Sequence, residues 1–482
     1  MSRPIELRNC NTIGSRVPHS RPGNVGGMKR SLRSILLGIA LSGGAWATET
    51  NATPEPRWWK GNLHTHTLWS DGDGFPEMVV GWYRDAGYDF LALSDHNVLS
   101  QGQRWVSLKD VAAKAKGEPW LGAGRVPRDA YADYLKRYGP HWVETRAGAE
   151  PDSTEVRLKP FDEYRALFDE PGRFLLIESE EITHQARDKR AIHMNATNVI
   201  ELLKPIDGDT VREVMSSHIT AVEESAARHG REIMIHVNHP NYKWGVTAED
   251  LAAVVREQFF EVWNGVANDN DPGDINHPST DEMWDIANTL RIAGLNAAPL
   301  YGLATDDSHD YQGNKTRALS GRAWIMVKAR HLTPESLIRA IRAGDFYATS
   351  GVLLDDVRFD PTARTVALTI RAQGTESFVT RFIGTRRGVK LEGKPRLDAN
   401  GRVVETTLDY RSSTGPQIGE VLSEVTGLNP TYALKGDELY VRAVVTSSGA
   451  PAVPSVEAEF KRAWTQPVGW AAPVANTEST KR

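Results

Sequence analysis

From about residue 58 to residue 351, short apolar runs alternate with stretches of helical periodicity. Phe90-Leu91-Ala92-Leu93, Phe174-Leu175-Leu176-Ile177, Ile233-Met234-Ile235, Phe259-Phe260-Glu261-Val262-Trp263 and Leu300-Tyr301-Gly302-Leu303-Ala304 read as strands. Between them, residues 211–229 and 248–257 place apolar side chains at helical spacing. The alternation predicts an α/β fold with a largely parallel sheet or barrel over 54–350. Residues 101–170 break the rhythm: Trp105, Trp120, Tyr131, Tyr134, Tyr138, His141 and Trp142 lie among many charges. An insert of that length is expected beside a site, as a lid or wall. Past Gly351 the pattern becomes alternation, as in Val366-Ala367-Leu368-Thr369-Ile370 and Leu439-Tyr440-Val441-Arg442-Ala443. That predicts a small β-sandwich over 351–468, followed by a disordered tail over 469–482.

The polar residues that follow the apolar runs change the picture from fold to chemistry. His64 and His66 close the stretch that begins at Trp58, and Asp71 lies in a Ser-Asp-Gly turn just beyond. Asp95 and His96 follow Leu91-Ala92-Leu93, Glu181 follows Leu175-Leu176-Ile177, His239 follows Ile233-Met234-Ile235, and Asp307 and His309 follow Leu303. The C-terminal ends of strands are where α/β folds assemble sites from residues distant in sequence. A lone His-x-His is better explained by polar residues at a strand end; the repeated delivery of imidazoles and carboxylates is not. Such ligands suit Zn, Mn or Fe, and a carboxylate such as Glu181 can bridge two ions about 3.5–4 Å apart. The set therefore predicts two or three divalent metal ions and a hydrolase that uses a metal-activated water.

Composition narrows the setting. A net charge of -5 over 482 residues, with 25% charged and 40% hydrophobic residues, predicts a globular protein with no nucleic-acid affinity from bulk charge. Met28-Lys29-Arg30-Ser31-Leu32-Arg33 precedes an apolar run that ends in Ala45-Trp46-Ala47. This reads as a signal peptide within an extension over 1–47, starting at Met28 and cleaved after Ala47, so a periplasmic or secreted product is expected. No later run reaches about 18 apolar residues, and no membrane span is expected after cleavage. The single cysteine, Cys10, precedes that signal, so the mature chain would hold no thiol, and there is no Gly-x-Ser-x-Gly elbow.

Leu63-His64-Thr65-His66-Thr67 with Ser70-Asp71-Gly72, Leu93-Ser94-Asp95-His96-Asn97, Asn238-His239-Pro240 and Asp307-Ser308-His309 resemble the successive motifs of the PHP (polymerase and histidinol phosphatase) family over about residues 58 to 350. The resemblance implies a distorted (β/α)7 barrel and metal ligands at His64, His66, Asp71, His96, Glu181, His193, His239, Asp307 and His309. It implies His64, His66, Glu181 and Asp307 around one ion, Glu181, His193 and His239 around a second, and Asp71, His96 and His309 around a third. Glu180 rivals Glu181, and Asn-His-Pro favours His239 over His236. Asp95 is expected to orient a ligand imidazole. His193-Met194-Asn195, Phe260 to Gly265 and Ser320-Gly321-Arg322-Ala323-Trp324 resemble the subgroup that includes carbaryl-type carbamate hydrolases. Phosphoester cleavage of a small-molecule substrate is expected ahead of carbamate or amide cleavage. The contrasting expectation, a non-catalytic metal- or carbohydrate-binding module, is disfavoured because every ligand position holds a competent residue. Arg187, Lys189, Arg190, Lys315 and Arg317 are available to hold a phosphate, but charge clusters in loops are ordinarily just solvated; Arg322, in its motif-like setting, is the cation singled out for a substrate role.

Overall fold

The computed structural model describes residues 54–115, 129–267, 269–313, 316–397, 400–410, 415, 417–455 and 459–471. The signal peptide, Trp120, Lys315 and residues 472–482 of the expected tail lie outside the described residues. Among the described residues, no helix is long and apolar enough to cross a membrane.

The α/β part contains β1 (Arg57–Asn62), β2 (Phe90–Leu93), β3 (Leu175–Gln185), β4 (Ala191–Thr197), β5 (Met234–Val237), β6 (Phe259–Asn264), β7 (Tyr301–Thr305), β8 (Trp324–Ala329) and β9 (Phe346–Thr349). With β10 (Phe378–Arg386), β11 (Glu420–Thr426), β12 (Glu438–Ser447) and β13 (Arg462–Thr465) they form one 13-stranded sheet, ordered β7-β6-β5-β4-β3-β2-β1-β8-β9-β13-β12-β10-β11. β1/β2, β2/β3, β5/β6 and β6/β7 run parallel. β3/β4, β4/β5, β1/β8 and β8/β9 run antiparallel.

The sheet is thus mixed, not largely parallel. The reason lies between Gln185 and Ala191: Ala186 donates to Arg190 O at 2.9 Å, and Lys189 takes a left-handed φ of 71°. So short a connection permits a hairpin but no crossover helix. β4 itself has little apolar character in sequence, because His193, Asn195 and Thr197 interrupt it.

Helices cover the strands, and their ends follow capping chemistry. The helix Val211–His229 opens on a Thr210/Glu213 capping box and stops at left-handed Gly230. Another, Ala248–Ala253, stops four residues before the apolar pattern does. Leu63, Phe90, Ile177, Met234, Phe259, Leu303, Ile325 and Phe346 share one buried core although their strands span the sheet from β7 to β9. The Tyr301 and Phe346 rings lie edge to face at 6.3 Å. The sheet therefore curls until its β7 edge meets β9. On that edge the Gln466 side chain, and not a neighbouring ladder, bonds both Gly302 N and Gly302 O, at 3.0 and 2.9 Å.

β13 pairs with β9, placing Ala348 opposite Trp464, and so joins the C-terminal strands to the sheet. A three-stranded layer, Leu354–Asp360, Thr365–Ile370 and Thr431–Ala433, packs on them through Val366, Leu368, Phe382, Tyr432, Val441 and Val445. In the insert, Arg104–Ser107, Thr154–Leu158 and Thr145–Ala147 form a small sheet beside the helices Leu108–Ala115 and Ala130–Tyr138. Its core includes Leu68, Trp69 and Phe75, so it rests directly on the segment that carries Asp71.

Candidate metal centre

The loop after β1 and the loop after β7 are zipped together beyond the strand ends. His66 N donates to Ser308 O and Asp307 N to His64 O, each at 3.0 Å, and Thr65 pairs with Ser308 as a parallel bridge. Because alternate residues of extended chain share a face, this register turns His64, His66, Asp307 and His309 to one side. Asp307 and His239 hold left-handed φ values of 47° and 22°. For non-glycine residues that costs roughly 1 kcal/mol or more each, and such strain concentrates at functional sites.

On β3 the same alternation separates the competing glutamates. Glu181 stands opposite Asn195 with His193 two pairs along the ladder, on the same face, whereas Glu180 faces away and accepts from Leu203 N at 2.6 Å. Glu181 is the glutamate in the site. His239 approaches it, while His236 lies 3.6 Å from Glu261 instead.

His64 Nε2 lies 3.3 Å from Glu181 Oε2 and 3.2 Å from Asp307 Oδ1; His66 Nε2 lies 3.2 and 3.1 Å from the same two oxygens. All four atoms are buried and none makes a hydrogen bond. A tetrahedral ion with ligands at about 2.0–2.1 Å has edges of about 3.3–3.4 Å, so the four unsatisfied atoms fit a divalent cation. Glu181 turns its second oxygen to another group: Oε1 lies 2.9 Å from His193 Nδ1 and 3.4 Å from His239 Nε2. Asp71 Oδ1 makes a third grouping, 3.2 Å from His309 Nε2, 3.6 Å from His96 Nε2 and 3.9 Å from His66 Nδ1. His96 also links the groups, with Nδ1 2.7 Å from Glu181 Oε2. All nine residues named as ligands from the sequence are thus neighbours around Glu181 and Asp71.

The field in this cavity favours positive charge. Burial alone would lower the pKa of these imidazoles. Asp307, Glu261 and Glu181 nevertheless raise that of His64 well above the ordinary value, and the neighbouring carboxylates raise His239 and His309 to about 9.

No ligand motif in the sequence marks Glu261. It is a buried acid within the apolar run Phe259-Phe260-Glu261-Val262-Trp263, and that misfit was the available signal. Its Oε1 meets His64 Nδ1 at 2.8 Å and Thr305 Oγ1 at 2.6 Å, and its Oε2 accepts from His239 N and Asn264 Nδ2. Such a carboxylate holds the imidazole with Nε2 directed at the ion. Similarly, His309 Nδ1 meets Asp307 O at 2.8 Å, leaving Nε2 for Asp71's side. Glu261→Gln is expected to lower metal affinity about 10- to 100-fold while leaving the fold intact, as read by metal titration against a competing chelator. An unchanged affinity would count against this orienting role. Asp269 is likewise unmarked by any motif. It is buried after β6 with its Oδ2 unsatisfied, and burial raises it to about 7 against the opposing pull of His239.

Two expectations are corrected. Asp95 meets no ligand imidazole directly: it accepts from Thr67 N, Thr67 Oγ1, Ser70 N and Ser70 Oγ at 2.5–3.0 Å. It shapes the turn between His66 and Asp71, reaching His66 only through Ser70 Oγ, 3.4 Å from His66 Nδ1. Gly72 serves the same turn, since a Cβ there would come within 2.8 Å of the His66 backbone. Arg322 is buried with its guanidinium against the carbonyls of Gly265, Arg317 and Thr316, so the contacts it makes brace loops. Arg187 pairs with Asp209, and Arg190 with Asp188 and Asp250.

No family description and no curated protein matches the sequence. Among solved structures, similarity is found to a two-domain protein from Bacteroides vulgatus containing a predicted PHP-like metal-dependent phosphoesterase. Identity is 12%, over 85% of this chain and 95% of that one, with a TM-score of 0.35. PsfC from Pseudomonas syringae is 11% identical over 60% and 88%, with a TM-score of 0.30. A candidate metal-dependent phosphoesterase from Bifidobacterium adolescentis is 12% identical over 55% and 92%, with a TM-score of 0.26. At such TM-scores these likenesses establish neither fold nor activity.

Proposed function

We propose that the chain is an exported PHP-type metal-dependent hydrolase, with phosphoesters as its substrates. The observation that carries this reading is the convergence of four buried, unbonded ligand atoms on one point, with Glu181 shared between two groupings. A carboxylate with one oxygen toward each grouping suits adjacent divalent ions better than a single structural one. When bound, such ions lower the pKa of water and neutralise charge on a phosphoryl or acyl oxygen. The chain's own part is to hold them. His64, His66 and Asp307 close one position, His193 and His239 flank a second, and Asp71, His96 and His309 flank a third. Glu261 and the Asp307 carbonyl orient two of the imidazoles, and the Tyr242 ring walls the second position, 5.5 and 5.2 Å from His193 and His239.

In this reading the curled sheet over 54–350 is a distorted (β/α)7 barrel, the region over 351–468 is a packing domain, and residues 28–47 direct export to the periplasm or beyond. The core shared by strands from β7 to β9 supports the first, and the basic-then-apolar composition supports the last.

Protein beginning at Thr48 should be purified, its bound metal quantified, and phosphomonoesters, phosphodiesters and carbamates assayed with added Mn or Zn. Phosphoester turnover that a chelator abolishes and metal restores is the expected result. A fully metallated protein that turns over carbamates alone, or nothing, would overturn the phosphoesterase reading.

A further inference from the structure

The metal centre is closed on one side and open on the other. The His64, His66 and Glu181 side chains are fully buried and that of Asp307 is 8% exposed, whereas those of Asp71, His96, His309 and His193 are 59, 25, 20 and 13% exposed. The opening therefore runs from Asp71, beside the insert, past His96 to His193, whose ring centre lies 5.8 Å from that of His96. At the His193 end stands the short turn Tyr242–Trp244. The half-buried Tyr242 ring has its centre 5.5 and 5.2 Å from those of His193 and His239, and the exposed Lys243 holds its ammonium 4.9 Å from the Tyr242 ring centre. Lys243 is thus one ring contact away from two candidate ligands. Among the described residues no carboxylate pairs with it, in contrast to Arg187 and Arg190.

The turn is held in a costly conformation. Lys243 and Trp244 take left-handed φ values of 50° and 54°, unfavourable for residues other than glycine. The surroundings fix them: Asn241 Nδ2 donates to Asn270 O and Pro278 O, each at 3.0 Å, Trp244 stacks on His277 with ring centres 3.8 Å apart, and Gly245 lies so close to Ala191 O that no Cβ would fit. A turn wound this way for packing alone would favour glycine or asparagine at 243. Lysine there sets a positive charge at a fixed place on the rim.

We propose that Lys243 binds a second anionic group of the substrate, a carboxylate set apart from the phosphoryl group that reacts. The inference rests on the phosphoesterase reading and adds a substrate class to it: phosphoesters whose alcohol or phenol part carries a carboxylate. The charge of the reacting phosphoryl is met at the ion positions, so a cation one ring removed from the imidazoles serves a different part of the molecule. A single compact ammonium, with three N–H donors, matches a singly charged carboxylate. The Tyr242 ring beside it offers apolar surface to whatever links the two anionic ends. Because Lys243 contacts the ligands only through that ring, substrate preference and metal binding are separable.

The test uses the full mature chain, saturated with Mn or Zn, as wild type and as Lys243→Met, Lys243→Gly and Lys243→Arg. Glycine suits the left-handed backbone, so that variant removes the ammonium without adding strain. The probes come in pairs that differ in charge and hardly in shape. Meta- and para-carboxyphenyl phosphate are compared with the matching carbamoylphenyl phosphates for turnover. The para-carboxybenzyl and para-carbamoylbenzyl phosphonates, which have no ester to cut, are compared for binding by calorimetry. From wild type to the Met and Gly variants, the carboxylate-to-carboxamide ratio is expected to fall about two- to fivefold, in kcat/KM and in affinity, at low ionic strength, and the fall should shrink with added salt. The Arg variant should keep the wild-type ratio. Ratios in the Met and Gly variants equal to those of wild type would overturn the proposal. If no phosphoester is cut yet the phosphonates bind with a carboxylate preference that needs Lys243, the anion contact stands and the phosphoesterase reading falls. If the esters are cut and the ratios do not depend on Lys243, the phosphoesterase reading stands and the role of Lys243 falls.

Discussion

Glu181→Gln is expected to cost at least one equivalent of bound metal and to reduce phosphoester turnover by more than about a thousandfold. Glutamine keeps the shape of the side chain but removes its charge and converts one acceptor into a donor. Neither Oε2, facing His64 and His66, nor Oε1, facing His193 and His239, can be replaced by an amide nitrogen. A carboxamide can ligate through one oxygen and cannot bridge. The fold should survive, because the ladder that places residue 181 opposite Asn195 is made by the backbone. Metal content by mass spectrometry, together with steady-state rates, checks the outcome. A variant with full metal content and wild-type turnover would remove Glu181 from the centre of the site.

The second large effect is on stability. Arg442 on β12 is buried and grips the helix Thr280–Thr289, with Nη2 and Nε 2.6 and 2.9 Å from the two oxygens of Asp285 and Nη1 3.1 Å from Asp281. The Tyr440 hydroxyl donates to the same Asp285 at 2.7 Å, and the guanidinium lies 4.6 Å from the centre of the Trp284 ring. Arg442→Met leaves a buried carboxylate with Tyr440 as its remaining strong partner on β12, and the expected loss is about 3–5 kcal/mol. Replacing Asp285 by Leu as well should recover part of that, since removing both charges avoids stranding one. Urea midpoints measure both, while metal content should not change, because Arg442 and Asp285 hold no candidate ligand. A single variant as stable as wild type would refute this account of how the C-terminal strands are fastened.

Much of the site is legible in the chain because ligand chemistry is local. An imidazole or carboxylate directly after an apolar run is conspicuous, and strand ends are where such groups converge, so His64, His66, His96, Glu181, His239, Asp307 and His309 stand out one by one. Orientation is not local. Whether Glu180 or Glu181 turns inward depends on the register between β3 and β4, and β4 hides its strand character behind His193 and Asn195. Asp95 and Arg322 sit in motif-like settings, yet what each does follows from the loops folded against it: the Thr67–Ser70 turn for one, three backbone carbonyls for the other. Glu261 is the converse case, a residue without a ligand motif that the curl of the sheet brings under His64.

The sequence by itself determined the residue types available for metal chemistry and the alternation of strands and helices, since both are properties of short stretches of chain. Only the tertiary structure decided the mixed sheet, the inward glutamate, the carboxylate behind His64 and the open Asp71 side bordered by the insert. These depend on pairings between segments tens to hundreds of residues apart, which no local pattern encodes.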